Sequence, residues 1–314
     1  MKKQLVLIYL CLVLTLANIS FLLYYFCFTD KTAFTNRPAD RLTFPAEHPV
    51  TTDVALPEEM DFAGEKVPLH RKDVQEALRK ELIVNTYLHS HSVQILKNAP
   101  RAFAVIEPLL KKAGIPDDFK YLAVIESNLN PTVVSPAGAV GVWQFMNKTA
   151  KEYGLEVNSE VDERYHTEKA TLAATRYLRK AYERFGSWTV AAASYNAGTS
   201  MLLKQMNIQQ ENNYYNLLLG EETERYVFRI LALKQILTHP ERYHFYVPDP
   251  YPVEKTRRIK VNGPVEDWTE FAKKHHVSYK TLKRFNPWLR KTKLKNPKRK
   301  TYEIILPANP KLYK

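Results

Sequence analysis

Cysteine is almost missing from this chain. Among 314 residues the only thiols are Cys11 and Cys27, both inside an apolar N-terminal stretch. The rest of the sequence therefore has no disulfide framework and no cysteine-based zinc site open to it. Metal-ligating histidine patterns are missing as well. The nine histidines include no His-Glu-x-x-His or similar pairing, and the adjacent His275 and His276 fall on an expected surface turn, so neither a metal nor a cofactor is expected. Internal repeats and low-complexity tracts are absent too. Acidic residues are outnumbered, 33 against 46 Lys and Arg, for a net charge of +13. Such a surface suits nucleic acid, anionic lipid or an anionic polymer, and charge alone does not choose among them.

What is present begins with an N-terminal signal. Lys2 and Lys3 precede a run over residues 5–28 that is apolar except for Thr15, Asn18, Ser20 and some tyrosines. That length crosses a hydrocarbon core of ~30 Å as a helix. No small-residue cleavage site closes the run; Tyr24, Tyr25 and Phe26 stand there instead, which favours a retained anchor over a removed signal. The positive-inside rule then places everything after Asp30 outside the cytoplasmic membrane, as a single-pass, periplasm-facing protein that does not meet the genome. Nucleic acid is thereby excluded as a partner.

Residues 29–70 carry Pro38, Pro45, Pro49, Pro57 and Pro68 without sustained helical or strand period, and are expected to form a tether. From 71 to 240 apolar residues recur at three- and four-residue spacing, which predicts a helical domain; Tyr226, Ile230, Leu233 and Leu237 mark one helix face. Pro240, Pro248, Pro250 and Pro252 break this pattern and predict a linker over 241–256. Residues 257–314 predict a small βααβ module, with strands over 257–261 and 302–306, helices over 265–275 and 278–284, and a solvated basic loop over 290–300. The fold class is therefore mainly α, followed by a small α+β domain.

One acid stands out. Phe119, Leu122 and Glu126 share a helical face in a segment that is apolar on nearly every side, so the Glu126 carboxyl is expected to be partly desolvated. Desolvation raises a carboxyl pKa, and an acid still protonated near neutral pH is what donation to a glycosidic oxygen requires. Ser127 follows it. Then come Ser135 and the block Gly138-Ala139-Val140-Gly141-Val142-Trp143-Gln144, whose glycines allow a close approach of backbone to ligand. Tyr195-Asn196-Ala197-Gly198 and Glu222-Thr223-Glu224-Arg225-Tyr226-Val227 complete the set.

These motifs, in this order and spacing, resemble the family 1 lytic transglycosylases of the soluble-lytic-transglycosylase type, over roughly residues 113–237. The resemblance implies a goose-lysozyme-like fold with Glu126 as the sole acid and base. Ser127, Ser135, Gly138, Gln144 and Asn196 would then contact substrate, Tyr195 would line the groove, and Tyr226 would orient the glutamate or the sugar. It further implies cleavage of the β-1,4 bond between N-acetylmuramic acid and N-acetylglucosamine in peptidoglycan, leaving 1,6-anhydromuramoyl ends. Hydrolysis to reducing ends and an idle wall-binding role are the alternatives. Ordinary glycosidases use two carboxylates, and Asp117, Asp118, Asp162 and Glu163 are the candidates for a second. The C-terminal module resembles a diverged LysM domain, with Gly263-Pro264-Val265-Glu266-Asp267 where such domains carry a Gly-Asp-Thr-Leu turn; Trp268 and Trp288 are expected to anchor its core.

Overall fold

The computed structural model describes residues 53–313. The expected anchor over residues 1–28 and the first part of the expected tether lie outside the described residues. Among the described residues, no helix is long and apolar enough to cross a membrane.

The first elements of the described residues form a short antiparallel hairpin, β1 (Asp61–Phe62) against β2 (Glu65–Lys66). A helical domain follows, made of α1 (Lys72–Tyr87), α2 (His89–Lys112), α3 (Phe119–Ser127), α4 (Asn147–Glu152), α5 (Thr167–Phe185), α6 (Trp188–Ala197), α7 (Thr199–Gln209) and α8 (Glu221–Thr238). Its centre is α8, which buries Tyr226, Val227, Ile230, Leu231, Leu233 and Ile236 and packs against α1, α3 and α6. Apolar residues around most of its circumference bury its middle turns, as expected of a central helix, while Glu221, Glu222 and Glu224 of its first turn are exposed. In α5 the buried positions are mostly small: Ala170, Thr171, Ala173, Ala174, Thr175 and Ala181, with Leu178. Small side chains at three- and four-residue spacing let α2 and α6 approach closely, and Gly186, in the left-handed region, ends the helix.

After a segment with a single 3-10 turn comes the small module: β3 (Thr256–Val261), α9 (Trp268–Lys274), α10 (Tyr279–Phe285) and β4 (Tyr302–Pro307). β3 and β4 pair antiparallel, with Thr256 opposite Pro307 and Val261 opposite Tyr302. Asp267 and Ser278 cap α9 and α10, accepting hydrogen bonds from the Thr269 and Thr281 backbone. Trp268 and Trp288 are buried in its core. The mainly helical domain and the βααβ module are the architecture that the hydrophobic periods predict.

Two expectations need correction. The later part of the tether is not a tether: Val54, Phe62 and Val67 are buried in the main core. The Glu65 carboxylate accepts hydrogen bonds from the Trp188 and Thr189 backbone amides at 2.5 and 2.9 Å, and from the Ser187 and Thr189 hydroxyls at 2.8 and 2.6 Å. It thus satisfies the open N-terminus of α6. A two-residue strand carries too little period to be read from sequence, and the prolines masked it. The basic loop over 290–300 is not wholly solvated either. Leu294 and Asn296 are buried, and the loop lies against residues 156–165 of the helical domain through Arg290, Lys295 and Lys300.

Phe62 is fully buried, with its ring edge-on to Phe119 at 5.2 Å between centroids. A Phe62→Ala substitution is expected to cost about 3 to 5 kcal/mol in denaturant unfolding, whereas a residue in a tether would cost nothing.

Candidate active site

Glu126 sits in the last turn of α3. Phe119, Tyr121, Leu122, Ala123, Val124 and Ile125 of the same helix are all buried, while Glu126 itself is half-buried. The helix stops directly after it because Asn128 and Leu129 adopt left-handed backbone conformations, and the Asn128 amide donates to Val124 O at 2.8 Å. This ending leaves the carboxyl at the negative pole of the helix, where ionisation is disfavoured.

Burial pushes the Glu126 carboxyl up to about 7. A hydrogen bond from the Tyr226 hydroxyl and the charge of Arg229 pull the other way, and Glu222 adds to the rise. Tyr226 is itself buried, so its donor has a fixed direction. The charge of Glu126 in turn raises the hydroxyls of both Tyr195 and Tyr226, after burial as the first cause. Glu126, Tyr195 and Tyr226 form one electrostatic unit.

The glycine-bearing segment forms the adjoining loop. Gly141 has φ +80°, and an added Cβ would lie 2.0 Å from Arg164 O, so no other residue fits there. Gln144 is a non-glycine residue at φ +46°, a costly backbone conformation, and its Nε2 donates to Gly141 O at 2.8 Å. Trp143 is fully buried, its indole N–H donating to Thr171 Oγ1 at 2.9 Å. Ser135 Oγ accepts from the Ala139 amide at 3.0 Å, and Gly138 is exposed with its carbonyl bonded by Arg164. Ser127 is a correction: it is buried, with Oγ 3.1 Å from Ala123 O and 2.9 Å from Val142 O, so it ties α3 to the loop and offers no group to a substrate.

Tyr195 donates to Trp143 O at 2.7 Å. Asn196 is fixed at both ends of its amide, donating to Glu222 Oε1 at 3.0 Å and accepting from Thr223 Oγ1 at 2.8 Å. Gln144, Tyr195 and Asn196 together line a cleft of about 790 Å³ that also includes Tyr153, Tyr177 and Lys180. Glu126 does not line this cleft. The two meet at Tyr195, whose side chain lines the cleft and carries the influence of Glu126.

The candidate second acids are all engaged elsewhere. Asp117 pairs with Lys120 at 2.5 Å, Asp118 with Lys234 at 2.8 Å, Asp162 with Arg164 at 2.8 Å, and Glu163 with Lys169. Asp118 lies eight residues before Glu126, about 12 Å along a helix axis, beyond the roughly 5–9.5 Å of paired glycosidase carboxylates. Two residues of the candidate site escaped the sequence reading. Arg229 stands one turn after Tyr226 and its charge favours the ionised Glu126; the i, i+3 spacing on α8 was the available signal. Arg164 donates Nη1 to Gly138 O and Phe145 O, both at 3.2 Å, bracing the glycine loop; nothing in the sequence distinguishes it from a surface arginine.

Residues 103–218 match the transglycosylase SLT domain family, and residues 257–310 match the soluble lytic transglycosylase C-terminal LysM-like domain. The chain is similar to membrane-bound lytic murein transglycosylase D of Escherichia coli (strain K12), 28% identical over 218 residues that make up 68% of this chain and 47% of that protein. A putative tributyltin chloride resistance protein of an Alteromonas species is 28% identical over 106 residues, 33% of this chain and 51% of that one. The chain thus spans about half the length of the curated relatives it matches. Among solved structures, the 70 kDa soluble lytic transglycosylase of Escherichia coli is similar at 24% identity and a TM-score of 0.36, over 46% of this chain and 25% of that one.

The raised Glu126 pKa has a consequence for stability. An acid that ionises at about 4.5 unfolded and about 7 folded contributes fully below the lower value and loses that contribution as pH rises through the higher one. Replacing it with the neutral isostere, Glu126→Gln, is expected to stabilise the protein by on the order of 2–3 kcal/mol near pH 8 and by almost nothing near pH 4. Urea unfolding of both proteins at the two pH values checks this; a difference independent of pH contradicts the desolvated acid.

Proposed function

Because the chain belongs to the SLT-domain lytic transglycosylases with a LysM-like C-terminal domain, we propose that it cleaves peptidoglycan glycan strands between N-acetylmuramic acid and N-acetylglucosamine. Glu126 serves as the single general acid and base, and the product carries a 1,6-anhydromuramoyl end. The observation that carries this reading is the Glu126 carboxyl, desolvated to about 7 and held by the Tyr226 hydroxyl.

With that pKa a large fraction of Glu126 is protonated at neutral pH, ready to donate its proton to the glycosidic oxygen as the bond breaks. The resulting carboxylate is stabilised in place by the Tyr226 hydrogen bond and by Arg229. It then takes the proton of the muramoyl 6-hydroxyl, which attacks its own anomeric centre. Holding nucleophile and electrophile in one sugar makes this step intramolecular, so it needs no bound water. The sugar's acetamido group supplies the stabilisation that a second carboxylate gives in ordinary glycosidases. The engagement of Asp117, Asp118, Asp162 and Glu163 in ion pairs supports a mechanism that does without them. Gln144 and Tyr195 place sugar in the cleft, and Asn196, locked to α8, shapes its wall. The LysM-like module, at a net positive charge of the whole chain of +13, suits an anionic glycan with free stem carboxylates. Anchoring by residues 1–28, with the enzyme facing the periplasm, completes the reading.

Mass spectrometry of digested sacculi tests the reaction: muramoyl ends lighter by one water are expected, and reducing muramic acid ends would instead establish a hydrolysing muramidase. Glu126→Gln is expected to abolish cleavage while leaving the fold intact; turnover near the parent rate would refute the assignment of the acid.

A pH profile tests the role of Tyr226. The general acid is active below its pKa and lost above it, and the Tyr226 hydrogen bond holds that pKa down. In Tyr226→Phe the alkaline limb of kcat/KM is therefore expected to move to higher pH, with a lower maximum. A limb that stays in place or moves to lower pH contradicts the role given to the hydroxyl.

A further inference from the structure

The LysM-like module does not hang from the helical domain on a free linker. One hydrophobic cluster spans both: Val140, Val161 and Tyr165 of the helical domain pack with Trp268, Leu282, Trp288, Leu289 and Ile304 of the module. Val140 belongs to the glycine loop itself. The backbones also join, in a short antiparallel bridge between Val161 and Leu289, where the Asp162 amide donates to Trp288 O at 2.9 Å and the Arg290 amide to Glu160 O at 2.8 Å.

Charged groups surround this bridge. Lys300 Nζ and Tyr302 OH donate to Glu156 Oε2 at 2.9 and 3.0 Å, the Lys295 amide donates to Glu160 Oε2 at 2.9 Å, and the Arg290 guanidinium lies 4.0 Å from the centroid of the Tyr165 ring. Farther along, Arg258 of β3 pairs with Glu168 of α5, donating from Nη1 at 2.9 Å. Acidic groups of the helical domain thus meet basic groups of the module.

The docked segment leads straight to the catalytic loop. The Asp162 amide is held by Trp288 O, and the Asp162 carboxylate grips Arg164 through Nε at 3.0 Å and Nη2 at 2.8 Å. Arg164 Nη1 holds Gly138 O and Phe145 O, the two ends of the loop, while Arg164 O abuts the Cα of Gly141, to which Gln144 is bonded. Residues 161–166 are buried without interruption, so a shift there cannot be taken up by solvent.

We infer that the LysM-like module is a buttress of the active site: its docking on residues 156–165, held by Glu156 and Arg290, fixes Arg164 and through it the loop that places Gln144, so that undocking lowers turnover even on substrates that never touch the module. Glu156, Arg164 and Arg290 are in this sense positioning residues. The inference rests on the proposed glycan cleavage for its kinetic readout, and on amide exchange for a readout that does not depend on activity.

The test uses the full chain carrying Arg290→Ala, Glu156→Ala, and both. Turnover is measured on soluble glycan fragments too short to reach from the cleft to the module, together with hydrogen exchange of the backbone. In the double variant kcat is expected to fall about tenfold with KM changed less than about twofold, as when a contact group is slightly misplaced. Exchange is expected to quicken in residues 156–165 and in 138–145 together. Arg290 is exposed, so Arg290→Ala alone leaves the core intact and shows a smaller change in the same direction, which Arg290→Lys reverses by restoring the cation over Tyr165. The inference is overturned if residues 156–165 loosen while 138–145 stay protected and kcat is unchanged. It is equally overturned if 156–165 stay protected in the double variant, because the named contacts then do not hold the docking. A parent protein that cuts no glycan at all would sink the functional reading and leave the exchange result to decide this one.

Discussion

A single hydrogen bond organises the site: the buried Tyr226 hydroxyl donating to a carboxyl that the protein has taken most of the way out of water. The two effects oppose each other. Burial favours the neutral acid, the tyrosine and Arg229 favour the anion, and burial wins by enough to bring Glu126 to about 7. A carboxyl so balanced is close in energy in both protonation states, which is the condition for giving up a proton and taking one back within a single turnover. Much of the helical domain serves to hold this balance. α8 presents Tyr226 and Arg229 from the centre of the core, and α3 ends at the residue after the acid, in two left-handed residues. Ser127 clamps the end of α3 to the glycine loop.

The site is accordingly made of side chains from distant parts of the chain, each locked by a neighbour before any substrate arrives. Gln144 is bonded to Gly141, Tyr195 to Trp143, Asn196 to both Glu222 and Thr223. Such preorganisation removes reorganisation from the reaction itself. The module belongs to this structure as well, since its core includes Val140 of the glycine loop.

Much of this was legible in the chain. The apolar ring around Glu126 foretold its desolvation, because core residues on nearly every side of a helix strip most of the water from an acid among them. The helical and βααβ periods foretold the two parts of the fold, and the family resemblance implied that Tyr226 would orient the glutamate or the sugar. What escaped was of two kinds. Elements too short to show a period were lost: the hairpin at Asp61–Phe62 and Glu65–Lys66, hidden among prolines, packs into the core. So were contacts that depend on chain crossings rather than on local pattern. Arg164 reads as one more cation in a basic protein, yet its guanidinium is spent on Asp162 and two loop carbonyls. The resemblance made Ser127, beside Glu126, a contact for substrate, and its burial against Val142 O makes it a fastening.

The central claim is that position 126 carries an acid held out of water. Carbon-13 NMR titration of the glutamate side-chain carboxyls, with the Glu126 signal assigned by its loss in Glu126→Gln, reads that claim without reference to activity. The account predicts a midpoint near 7 for this one signal; a midpoint near the ordinary 4.5 would mean that the carboxyl is solvated and that the site cannot work as described.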